Sequence, residues 1–140
     1  MLCRMVLAVS AMLLLAAPAK AKDCPVQDTG WEAREDAIRK APTCKQAMEI
    51  MRACAYGAGG DTGLGEAVRE RCEPEFLRKL SNAQKRAQKR AYEREQKRCD
   101  QKYARRSGTM YRSFTAFCQA QSAVAHAGKS GATANAKAKR

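Results

Sequence analysis

The first apolar stretch of the chain is a near-continuous run, Met5 to Ala17, and every later one is spaced at helical intervals. Trp31 and Ile38 are seven apart, which puts them on one helical face. Cys44, Ala47, Met48, Met51, Cys54 and Ala55 form a second stripe, and Met110, Phe114, Phe117, Gln121 and Val124 a third. No segment alternates polar and apolar residues as a half-buried strand does. Three pairs fit the capping box, in which two side chains satisfy the orphan amides of a helix start. They are Thr29 with Glu32, Thr43 with Gln46, and Ser81 with Gln84.

These signals predict a helix from Gly30 to Lys40, ended by Pro42, and a second from Cys44 to Tyr56. Gly57, Gly59, Gly60, Gly63 and Gly65 predict a flexible loop, followed by a short helix from Glu66 to Cys72. Pro74 is expected to open a separate turn from Glu75 to Lys79. A long helix starts after Ser81 and runs to about Arg106. Its sequence is a near-repeat of four, beginning Ala83-Gln84-Lys85-Arg86 and Ala87-Gln88-Lys89-Arg90. Ser107-Gly108-Thr109 breaks it, and a last helix spans Met110 to His126. The expected fold is all-α: a small disulfide-stapled bundle of helical hairpins.

The N-terminal run changes the domain picture. Arg4 precedes it, and Pro18-Ala19-Lys20-Ala21 ends in small residues where a signal peptidase reads. Residues 1–21 therefore read as a cleavable signal peptide, residues 22–127 as the folded domain, and residues 128–140 as a disordered basic tail. The tail is Gly, Ala, Ser and Lys for the most part, a composition that buries too little to order itself. The expected location is the periplasm or the exterior, with no transmembrane segment in the mature chain.

Cleavage after Ala21 would remove Cys3 and leave Cys24, Cys44, Cys54, Cys72, Cys99 and Cys118. Six cysteines in a short exported chain point to a disulfide framework. Zinc sites need close Cys or His pairs; none exists, and His126 is the sole histidine. Six cysteines allow 15 connectivities. Symmetry about tight turns selects one of them. Cys99 and Cys118 lie nine before and ten after Gly108, and Cys54 and Cys72 are each nine from Gly63. Cys24 and Cys44 remain as the third pair. The main rival, Cys44–Cys54, would span about 15 Å in a straight helix, beyond the reach of a disulfide.

Charge divides the chain. The whole carries +13, and removal of residues 1–21 leaves +11. Residues 22–77 have a net charge of −3, residues 78–112 of +10 and the tail of +4. Lys85, Arg86, Lys89, Arg90, Arg94, Lys97 and Arg98 form a candidate anion-binding face on the long helix. Such a helix fits an anionic envelope polymer, and equally a solvated surface built from good helix formers. Nucleic acid is the less fitting partner, because the export signal and the few tyrosines argue against it.

No catalytic, cofactor or metal residues are assigned. His126 sits near the end of its predicted helix with no carboxylate close in sequence, and is expected on the surface. Bridged cysteines leave no thiol nucleophile. The glycines at 57–65 match neither nucleotide-binding fingerprint. The acidic clusters at Glu32, Glu35 and Asp36, and at Glu66, Glu70, Glu73 and Glu75, suit helix starts better than hydrolytic pairs.

Between Cys44 and Cys118 several features recur together: Cys44, Met51-Arg52-Ala53-Cys54-Ala55, Leu80 followed by Ala83-Gln84-Lys85, Cys99 twelve residues after Ala87, Gly108-Thr109, and Cys118. In these the chain resembles the LprI-type lysozyme-inhibitor family of small exported bacterial helical proteins. The resemblance implies a non-enzymatic binding protein whose partner is a lysozyme or another cell-wall hydrolase. Animal-type lysozymes are basic, so the acidic stretch near residues 61–75 is where such a target would dock.

Overall fold

The computed structural model describes residues 23–27, 30–78, 80–106 and 108–138, with side chains described to residue 129. The expected signal peptide lies outside the described residues. Those residues form helices and no strand: α1 (Trp31–Arg39), α2 (Cys44–Cys54), α3 (Asp61–Leu77), α4 (Asn82–Tyr103) and α5 (Thr109–Ala138). None of these helices is long and apolar enough to cross a membrane.

Helix starts follow the capping signals where these can be read. Thr43 Oγ1 accepts from the Gln46 amide at α2, and Ser81 with Gln84 completes a reciprocal capping box at α4. Thr29 lies outside the described residues, and α1 begins from Gly30 without a side-chain cap. Gly57 and Gly108 adopt positive φ, of 73° and 103°, and mark the two sharp reversals of the chain.

The third helix departs from expectation. Residues 61–77 form one continuous helix, where a long glycine loop, a short helix and a separate turn were predicted. Asp61 is the cause. Its buried carboxylate accepts hydrogen bonds from the backbone amides of Tyr56, Gly57 and Ala58, and from Ser113 Oγ. The loop is thus gathered onto one side chain, and the helix starts five residues earlier than Glu66. Pro74 falls in the last turn, where its missing N–H removes a single bond.

Helix α5 is the central element: α3 packs along one side of it and α4 along another, while α1 and α2 pack on α3. Its buried face is rotated from the predicted one: Phe117 and Val124 pack at the border of the core, but Gln121 is exposed. Met110 and Phe114 are exposed, at 58% and 39%, and Ala116, Ala120, Ala123 and Ser113 are buried instead. A helix clasped from two sides needs small residues for close approach. A Cβ placed on Gly65 of α3 would lie 2.9 Å from the Ala116 Cβ and 3.2 Å from its Cα. The large side chains of the core are Ile38, Met48, Met51, Leu64, Val68 and Phe76. The backbone of α5 continues past the predicted end at His126 to Ala138, through most of the stretch expected to be a disordered tail. Alanine and lysine there are strong helix formers, and a helix already anchored by packing propagates at little cost.

Three disulfides staple the bundle. Cys99–Cys118 joins α4 to α5 as predicted, with Cα atoms 5.6 Å apart. The other two pairs are exchanged relative to expectation: Cys44 bonds Cys72 and Cys24 bonds Cys54. The α2–α3 hairpin is symmetric, but about a different centre from Gly63. Gly63 belongs to α3, and the reversal between α2 and α3 lies near Ala58, from which Cys44 and Cys72 are each fourteen residues distant. Cys54, at the end of α2, is left to hold the N-terminal arm.

Candidate functional site

Helix α4 has one buried edge, formed by Tyr92 and Cys99. Glu95 and Gln96 flank that edge. Gln96 Nε2 donates to the Gln119 carbonyl, and Asp100 Oδ1 accepts from Gln119 Nε2. Every other face of the helix is open. Of the seven predicted anion-binding residues, Arg86, Lys89, Arg90, Arg94, Lys97 and Arg98 are exposed and Lys85 is partly buried. The structure therefore gathers them on one solvated helix.

These cations differ in their company from four basic residues of the α1 end and α3. Arg39 pairs with Glu35 and Glu70, Lys40 with Asp36, Arg69 with Glu66 and Arg71 with Glu75. The Glu70 and Glu35 carboxylates hold the Arg39 guanidinium pKa above its usual value. Among the described residues, no cation of α4 has a carboxylate within ion-pair distance. The carboxylates of the acidic stretch are largely engaged within the protein: Asp61 with the loop, and Glu66, Glu70 and Glu75 with arginines.

Between α3 and α4 lies an open groove of about 390 Å³, lined among others by Arg69, Glu73, Phe76, Lys89, Tyr92 and Lys97. It exists because both helices lean on α5 more than on each other. Tyr92 Oη and Gln96 Oε1 are buried in its wall without a hydrogen bond from the protein. Burial pushes the Tyr92 hydroxyl pKa well up, and the neighbouring Glu73 charge adds to the effect. The phenol is therefore a neutral donor throughout the physiological range.

Behind this groove stands an arrangement that sequence reading placed wrongly. His126 is 3% exposed and not on the surface. Its Nε2 lies 3.0 Å from Glu95 Oε2 and its Nδ1 2.7 Å from Gln88 Nε2. The ring packs against Phe76 and Tyr92. Ser122 Oγ donates to the same Glu95 oxygen at 2.9 Å. Burial works to raise the Glu95 pKa, but the bonds from Ser122 and His126, and the His126 charge, outweigh it and hold the carboxyl below its ordinary value. The serine contacts the carboxylate and not the imidazole, so the three groups are not ordered as a nucleophile, base and orienter. The pairing joins residues 31 apart on two helices, and no local spacing announces it.

A second buried ionisable group, Arg34, is 4% exposed. Its guanidinium lies 4.6 Å from the centre of the Tyr56 ring and 5.8 Å from that of Trp31, and Nη2 donates to Tyr56 Oη. The aromatic faces offset part of the charge. Trp31, expected in the core, is instead 41% exposed and serves as one wall of this sandwich.

Among the described residues, no group of three or more His, Cys, Asp or Glu is placed to hold a metal ion. The fold and the site together define a disulfide-stapled, all-α domain with one cationic helix exposed along most of its length. Comparison with protein-family models, with curated proteins and with solved structures finds no match.

Proposed function

We propose that this is an exported, non-enzymatic binding protein that docks on anionic polymers of the cell envelope through α4. One observation carries the reading. Arg39 and Lys40 at the end of α1, and Arg69 and Arg71 on α3, are matched with carboxylates, whereas the eight cations of α4 have none within ion-pair distance among the described residues, and all but Lys85 are exposed. Like charges four apart on a helix destabilise it by about 0.2–0.5 kcal/mol per pair. Helix α4 sets eight basic residues against Glu93, Glu95 and Asp100, whereas acids outnumber bases on α1 and α3. Three disulfides support an oxidising compartment, which agrees with the signal peptide expected at residues 1–21.

The test is retention of the mature oxidised protein on immobilised polyphosphate across a salt gradient. Binding should weaken steeply with salt. Changing Lys85, Arg86, Lys89 and Arg90 to Gln should lower the eluting salt concentration markedly without altering the helical circular-dichroism signal. Passage of the wild type at low salt would overturn the reading. Inhibition of lysozyme, the activity implied by the family resemblance, is assayed on the same preparation. Salt-insensitive inhibition that survives the four substitutions would replace the polyanion reading with the inhibitor one.

A further inference from the structure

The unmatched cations of α4 are not scattered. Arg86, Arg90, Arg94, Arg98 and Lys102 follow one another at intervals of four, and all five are exposed. Four residues advance a helix by about 6 Å and turn it by about 40°. The five cations therefore form an oblique row about 24 Å long that winds through about 160° of the helix circumference. Arg94, at its middle, lies opposite the edge that Tyr92 and Cys99 bury against α5. The row crosses the whole solvent side, from the flank facing the α3–α4 groove to the opposite flank.

Three features of this row constrain what it fits. A flat anionic surface touching Arg94 reaches Arg90 and Arg98, but meets Arg86 and Lys102 only edge-on. A flexible strand that crosses the helix obliquely reaches all five. Next, four of the five are arginine, although lysine would serve helix propensity and solubility as well. The guanidinium fork matches a phosphate with two parallel hydrogen bonds, which an ammonium does not. Finally, the aromatic rings beside the row are already engaged, with Lys102 and Arg106 lying 5.3 and 5.9 Å from the centre of the Tyr103 ring. Tyr92 is buried, and Tyr103 is stacked on Phe114 with ring centres 5.8 Å apart. Single-stranded nucleic acid derives much of its affinity from stacking on free rings.

Resting on the polyanion reading above, we infer that the ligand of α4 is a flexible, linear, base-free phosphodiester polymer of the cell envelope, laid obliquely along the row Arg86, Arg90, Arg94, Arg98 and Lys102.

Salt dependence counts the contacts. For single strands the slope of log K against log salt is about −0.7 per phosphate neutralised, so five contacts give about −3.5. The probes are an abasic phosphodiester oligomer, a mixed-sequence oligonucleotide of equal length, and vesicles containing phosphatidylglycerol. With the abasic oligomer, Arg86→Gln combined with Lys102→Gln should flatten the slope to about −2. A control with Lys45→Gln and Arg52→Gln, which removes equal charge from α2, should leave the slope near that of the wild type. The oligonucleotide should bind no tighter than the abasic oligomer, and vesicle binding should be insensitive to the end substitutions. An unchanged slope with the abasic oligomer, or a strong preference for bases or for vesicles, overturns the inference while leaving a cationic docking face. Absence of binding to all three probes at low salt overturns the polyanion reading itself.

Discussion

Gly65 shows how much one missing methyl group decides. Alanine is the better helix former by about 1 kcal/mol, yet a Cβ at this position would press on the Ala116 backbone of α5. Neither helix can retreat without opening the core, so Gly65→Ala should destabilise the fold by about 1–3 kcal/mol. At Gly63 a Cβ would meet the Glu35 carboxylate, the far end of a flexible side chain. Gly63→Ala should therefore cost far less, because Glu35 can swing aside. Urea denaturation of the two variants checks the contrast, and equal losses would show that α3 and α5 are not in close contact. The partly exposed Glu95, held by Ser122 and His126, makes a separate prediction. Its carboxyl titrates below the ordinary glutamate value in the folded protein, so it contributes stability above that ordinary value, roughly pH 4.3. The contribution is lost as pH falls through the lowered folded value. The stability difference between wild type and Glu95→Gln should therefore shrink between pH 6 and pH 3. A constant difference would mean that the carboxylate's charge does nothing for the fold. Neither residue is conspicuous in the sequence, since Gly65 reads as loop and Glu95 as one more charge on a charged helix.

The disulfides belong to the scale of elements, and they are not equivalent. In the chain-entropy description each closes a loop worth about 3–4 kcal/mol, but their surroundings differ. Cys44 and Cys72 are 2% and 0% exposed and close the open end of the α2–α3 hairpin within the core. Cys24 lies on an extended arm and holds it to the end of α2. Replacing Cys44 and Cys72 by alanine should lower the melting temperature well beyond the paired alanine replacement of Cys24 and Cys54. Peptide mapping of the oxidised protein should return Cys24 with Cys54, Cys44 with Cys72 and Cys99 with Cys118, and a Cys54–Cys72 peptide would contradict the fold. The sequence holds enough to pair residues about a turn, but only when the turn is located correctly. At Gly108 the break is short and unambiguous. Between α2 and α3 the glycines extend into the helix, and the carboxylate of Asp61 sets the boundary.

For the molecule as a whole, the separation of charge implies a trade between stability and binding. The row on α4 contains four like-charge neighbours at intervals of four, from Arg86 to Lys102. Each costs about 0.2–0.5 kcal/mol at low ionic strength. Changing Arg86, Arg90, Arg94 and Arg98 to Gln should therefore raise the melting temperature by a few degrees in dilute buffer. The gain should fade as salt screens the repulsion. Thermal denaturation at two salt concentrations measures this directly. A lower melting temperature would show that the arginines support the fold rather than burden it.

The sequence by itself determined the helical class, the long basic helix with its Ser81 cap, the break at Gly108 and the bond between Cys99 and Cys118. These follow from local rules: side-chain periodicity, capping chemistry and symmetry about a tight turn act over a few residues or one hairpin. The candidate anion-binding face was equally legible, because a charge repeat near the helical period lands on a helix surface whatever the helix packs against. Tertiary structure alone decided which face of α5 is buried, where α3 begins, how Cys24, Cys44, Cys54 and Cys72 pair, and that His126 meets Glu95 inside the bundle. Each of these depends on an approach between segments distant in sequence. Small residues buried by close helix contact look like weak core candidates on paper, and a carboxylate that gathers a loop looks like any surface acid, until the partner helix is in place.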